Sequence, residues 1–183
     1  MSEIVAFDPK QIENQNKKFH KMSYRKQRLA IAEDVLRQIK LKKYVATVGS
    51  YIRSYLAEKL INESRQNDQV LDFQKVLLAN TPECQVCGLG AAFCSMARLG
   101  DEVQMDDSSE IHEHLTAIFG GHQVSLIEHA FEGFDAGGNE ETSPISENEK
   151  VACRKFFDKR PSDSKRLAAI FRNIIKHDGK FRP

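Results

Sequence analysis

"PECQVCGLGAAFCSMARLG", residues 82–100, sets three cysteines within eleven residues against a run of small and apolar side chains. Its reading decides the fold, because a metal knuckle, an activated thiol and a tightly packed helix would each organise a different protein around it. Leu89, Ala92, Phe93 and Met96 follow the i, i+3, i+4, i+7 spacing of a helix with one apolar face, and Leu99-Gly100 closes it. Gly88, Gly90, Ala91 and Ser95 let another element approach closely. Reduced cysteine is a compact hydrophobe that proteins often bury. The stretch is therefore expected to be a core helix that uses its cysteines for packing.

Two alternatives stay open. Cys84-x2-Cys87 has the shape of half a zinc knuckle, although the chain holds no second Cys-x2-Cys. Cys94, Cys153 and the histidines at 112, 114, 122 and 129 would have to complete the set at no recognised spacing. No cofactor is predicted, with zinc at Cys84 and Cys87 as the alternative. The other alternative is catalytic. Cys87 stands at the start of the helix, where unpaired backbone N–H groups and the macrodipole favour a thiolate. His112, His114, His122 or His129 would then serve as its base, and nothing in the spacing selects one. "CGLGAAFCSMARLGDEV" (87–103) resembles the nucleophile segment of bacteriocin-processing cysteine proteases, in which a Cys-Gly leads a helix of small residues. That resemblance implies Cys87 as the nucleophile of a cysteine-dependent hydrolase. The family places its nucleophile near the domain's N-terminus, whereas Cys87 follows a long preceding stretch.

Outward from this helix the chain reads as mainly α, a bundle-like single domain over residues 23–183 with a small β element near 44–52. Residues 1–22, rich in Asn, Gln and Lys, read as a flexible or loosely helical arm. From Ser23, a helix carries Leu29, Ala32, Leu36 and Ile39 on one face, widened by Ile31 and Val35. "YVATV" (44–48) is β-branched and short, and Gly49-Ser50 turns it. Residues 51–61 lean towards helix, and "DQVLDFQKVLLAN" (68–80) is helical in register. Further helices carry Ile111, Leu115, Ile118 and Phe119, then Val124, Ile127, Ala130 and Phe131, separated by Gly120-Gly121. After the turn-rich loop 133–146, two helices are expected near 147–158 and 162–177. The last has Leu167, Ile170, Phe171, Ile174 and Ile175 on one stripe.

The 183 residues carry a formal net charge of +1, which hides a strong asymmetry. Residues 17–43 hold ten Lys/Arg against two acids, and residues 150–183 hold eleven against three. Residues 99–149 contain no Lys or Arg and thirteen acids. If the ends do not neutralise it, this middle third offers carboxylates to a partner with a basic surface. Glu110, Glu113, Glu128, Glu132, Asp135, Glu140 and Glu141 are the expected partner-binding residues. Nucleic acid is the other candidate partner, through the Lys/Arg-rich segments 17–43 and 150–183. No apolar run approaches the ~20 residues needed to cross a bilayer, and no secretory leader is read at Met1-Ser2-Glu3-Ile4, so a cytoplasmic protein with no membrane partner is expected.

Three stretches also carry a resemblance: "RLAIAEDVLRQIKLKKYVATVGSYI" (28–52), "CQVCGLGAAFCS" (84–95), and "LIEHAFEGFD" (126–135) with the closing "RLAAIFRNIIKHDGKFRP" (166–183). In this order they resemble small accessory proteins encoded by bacteriophages and bacterial mobile elements. An Ile-Ala-rich opening helix, a Cys-x-Leu-Gly-Ala helix and an Asn-Ile-Ile…Gly-x-Phe-x-Pro tail recur in that group. The resemblance implies a setting, an infected bacterial cell, without implying an activity or site residues. In that setting it suggests a protein that binds and inhibits a host defence or nucleic-acid-processing factor.

Overall fold

The computed structural model describes residues 9–49, 52–53, 84–100, 110–133 and 144–183. They form α1 (Pro9–His20), α2 (Tyr24–Lys40), β1 (Tyr44–Ala46), β2 (Ile52–Arg53), β3 (Cys84–Val86), α3 (Gly88–Gly100), α4 (Glu110–Phe119), α5 (Gly121–Glu132), α6 (Glu147–Asp158) and α7 (Asp163–Lys176). The result is a mainly helical single domain with a small sheet, as the periodicity predicts. The expected helix over 68–80 lies outside the described residues, and so does that over 51–61 apart from Ile52–Arg53, which form a strand.

The decisive stretch becomes the centre of the molecule. Helices α1, α2, α4 and α5 all pack on α3, and every residue from Gly88 to Ala97 is buried. Its small residues have a measurable purpose. A Cβ added at Gly88 would lie 3.0 Å from the Cβ of Phe131 on α5, and one at Gly100 would lie 2.7 Å from the Cβ of Phe19 on α1. Neighbouring helices thus approach more closely than alanine would allow. Phe19 is itself buried, so the stretch read as an arm contributes an anchored helix.

The sheet gains a strand that the sequence reading did not assign. β3 lies between β1, which it pairs in parallel (Tyr44 opposite Cys84), and β2, which it pairs antiparallel (Ile52 opposite Val86). Cys84 and Val86 point inward and Gln85 outward, the period of a half-buried strand. Three residues are too few for that alternation to stand out beside a long helical signal. The strand delivers the chain directly into α3, with Cys87 at the joint.

Helices α2 and α7 come from the two basic ends of the chain and pack side by side. They run antiparallel: Arg25, at the start of α2, pairs at 2.5 Å with Asp178, just beyond the end of α7. Gly179 makes this junction fit. Its φ of +87° is strained for a side-chain-bearing residue, and an added Cβ would lie 3.2 Å from the carbonyl oxygen of Arg25. The following residues fold back. Phe181 is buried against Phe156, its N–H donates to Gln123, and Asn173 holds both the N–H and the carbonyl of Arg182.

Candidate functional site

The joint between β3 and α3 gathers the groups that could do chemistry. Cys87 is 4% exposed, and its sulfur accepts a hydrogen bond from the Gly90 N–H at 3.4 Å, in the manner of a helix cap. The helix end would favour a thiolate, but burial opposes it more strongly and pushes the thiol up to about 12. Its charged neighbours are Glu132 and Glu128, both carboxylates, which add to the opposition. Glu132, at the end of α5, accepts from the Gly49 N–H at 2.7 Å and from the Cys87 thiol. Burial raises its pKa, while these two donors pull it back. The Arg166 guanidinium also acts on it. Glu132 therefore ties the turn after β1 to the head of α3.

Among the candidate bases, exposed His112 faces Thr116 at 3.4 Å on α4, and the His114 ring is tilted against that of Phe93. His122 meets Glu149 at 2.9 Å, and His129 donates to the Ser125 carbonyl. Cys94 and Cys153 are fully buried, and burial raises both thiols, Cys153 to about 12. For the zinc alternative, Cys84 and Cys87 need further ligands, and among the described residues no three His, Cys, Asp or Glu side chains come together to hold a metal. What the joint does chemically is pack and hydrogen-bond. Native protein at pH 7.5 should leave Cys87 unmodified by iodoacetamide over an hour, with full labelling in denaturant, as read by peptide mass spectrometry. Rapid native labelling at Cys87 alone would restore the nucleophile.

Of the expected partner-binding acids, Glu113 is exposed on α4, while Glu128 and Glu132 are half-buried on α5. Glu110 begins α4, and its side chain, with Asp135, Glu140 and Glu141, lies outside the described residues. The chain leaves the described core at Gly100, one end of α3, and at Gly133, beside Phe131 and so near the other end.

Most ion pairs among the described residues close over one helical turn or within one charge compartment, while Arg98 reaches Asp34 from α3 to α2. Lys17–Glu13, Arg37–Asp34, Arg154–Asp158 and Arg166–Asp163 are local, and Arg25–Asp178 joins the two basic ends. His122–Glu149 lies inside the lysine-free third, and Lys150–Glu147 straddles its boundary.

Two buried polar centres escaped the sequence reading. Asp34, 2% exposed, accepts from Arg37 and from Gln38 at 3.0 Å, with Arg98 at 3.5 Å across the α2–α3 contact. The Tyr44 and Ser95 hydroxyls meet nearby at 3.3 Å. Arg166 is 1% exposed, bonded to the Arg160 carbonyl and Asp163, with Phe157 and Phe131 facing its guanidinium. A signal for both existed. Asp34 and Gln38 interleave with Ile31 and Val35 on the inward stripe of α2, and Arg166 stands four residues before Ile170 on that of α7.

No family model, curated protein or solved structure matches the chain at a significant level. Among the described residues, no helix is long and apolar enough to cross a membrane.

Proposed function

We propose that the protein acts by binding, its lysine-free middle third docking on the basic face of a partner protein. The reading is supported above all by the charge distribution: residues 99–149 hold thirteen acids and no Lys or Arg, and Glu113 stands exposed on α4. A strongly acidic segment suits a cationic groove of the kind that takes phosphates, where fixed carboxylates compete with nucleic acid. The setting is that of a phage or mobile-element accessory protein blocking a host defence or nucleic-acid-processing factor. Glu113, with Glu110, Asp135, Glu140 and Glu141, supplies the docking charge. Glu132 positions the fold, through Gly49 and Cys87. Catalysis at Cys87 is the weaker reading, because its thiol stays protonated at neutral pH.

The test compares the native protein with a variant carrying Glu113→Lys, Asp135→Lys, Glu140→Lys and Glu141→Lys as baits for bacterial lysate at about 50 mM and about 300 mM salt. A partner captured at low salt should be lost both with the reversed charges and at high salt. Equal capture of the same partner by both baits overturns the proposal.

A further inference from the structure

Residues 180–182 lie across three helices in the manner of a bound peptide. A turn at Asp178 and Gly179, both in the left-handed region, brings them back over α7. Their side chains alternate: Lys180 and Arg182 are exposed, while Phe181 between them is 1% exposed. The Phe181 ring meets that of Phe156 on α6 edge-on, with centroids 5.2 Å apart, and the Arg160 guanidinium covers Phe156 at 3.7 Å from its centre. Side-chain amides from two further helices hold the main chain. Gln123, in the first turn of α5, accepts from the Phe181 N–H at 2.6 Å. Asn173 on α7 donates to the Arg182 carbonyl at 2.7 Å and accepts from its N–H at 2.8 Å, the pair of bonds that a neighbouring strand would make. Helix α5 packs against both α6 and α7, so the walls of this cleft are continuous.

Recognition in the cleft is thus divided in two. The amides read main-chain groups, which every residue except proline offers in full, and a pocket fixes the residue at position 181 alone. Extended peptides added to a protein as an extra strand are read by the same division: main-chain bonds give affinity, and pockets for alternate side chains give specificity. We infer that the cleft between α5, α6 and α7 is a peptide-recognition site, that residues 180–182 occupy it as an internal ligand, and that an extended segment of a partner protein carrying one phenylalanine displaces them. Because Lys180 and Arg182 are exposed, the neighbours of that phenylalanine are unrestricted. The internal segment competes at an effective concentration on the order of millimolar, which lowers the apparent affinity of any displacing segment. None of the acids of the docking proposal takes part, so this inference goes beyond it and each fails separately.

Fluorescence anisotropy of a labelled peptide with the sequence of residues 179–183, Gly-Lys-Phe-Arg-Pro, tests this on the full chain. Phe181→Ala empties the pocket without touching its walls and should bind the peptide about tenfold more tightly than the native chain. Arg182→Pro takes one hydrogen bond from the internal segment and leaves ring and pocket intact, so it should bind about fivefold more tightly than the native chain. Thermal melts establish that each variant is folded, and Arg182→Pro carries the test if Phe181→Ala does not fold. Adding Asn173→Ala to either variant should weaken binding about tenfold, and a peptide with alanine in place of phenylalanine should not bind. The inference is overturned by no binding to a folded variant at about 1 mM peptide, by equal affinity of native chain and variants, by equal binding of the alanine peptide, or by binding unchanged by Asn173→Ala.

Discussion

Arg166→Ala is expected to destabilise the protein by about 3–5 kcal/mol, seen as a lower urea midpoint at unchanged slope. The guanidinium is almost completely buried, donates at 2.8 Å to the Arg160 carbonyl and 2.6 Å to Asp163, and lies 4.1 Å from the centre of the Phe157 ring. Truncation removes those bonds and leaves a void between Phe157 and Phe131. It also withdraws the positive charge that favours the half-buried Glu132 carboxylate. Arg166→Met restores much of the volume without the charge, so it should recover part of the loss, and the remainder reports the polar contacts. A change below about 1 kcal/mol for Arg166→Ala would place the side chain in water and contradict its burial.

The second large effect is a loss of stability in alkali. Burial raises the Cys87 and Cys153 thiols to about 12, and that of Cys94 well above its ordinary value. An unfolded chain releases these protons near pH 9, whereas the native chain holds them. The unfolded state therefore binds fewer protons in this window, and unfolding becomes easier as pH rises. The stabilisation from protonated thiols is complete below the unfolded pKa and is lost between about pH 9 and pH 12. Each thiol contributes on the order of 1.4 kcal/mol per pH unit, so three together cost about 4 kcal/mol per unit. Unfolding free energies from urea titrations at pH 8, 9 and 10 under reducing conditions check this. Cys153→Ala should lower stability at pH 8 and flatten the slope by about one third. A slope indifferent to pH above 9 would mean that the thiols are hydrated.

How much of this was legible follows from the strength of each local signal. α2 and α7 were plain because several apolar residues repeat at helical spacing over four turns. The packing role of residues 88–100 was plain because glycine, alanine and cysteine alternate with large apolar side chains in one register. β3 was hidden because three residues show only one alternation. Asp34 and Arg166 went unassigned for a different reason: a charged side chain ordinarily marks surface, although both sit in phase with the apolar stripe. The pairing of α2 with α7 was not readable at all, since no local pattern states which distant face a stripe will meet. The joint at Cys87 was located correctly, but its thiol depends on Glu132, Glu128 and Gly49, which only the fold brings to it.

The union of α2 with α7 also sets a timetable for folding. The two helices are separated by more than a hundred residues, so their contact closes a long loop and raises the contact order of the whole domain. During synthesis, α2 emerges and can meet α3 first, but the part of its apolar stripe that α7 covers stays bare until residues 163–176 are made. At about 5–20 residues per second that interval lasts about 6–25 seconds, long enough for chaperones to compete with aggregation for the bare stripe. Expression at reduced temperature and with added chaperone should therefore raise the soluble yield more than changes made to the finished surface.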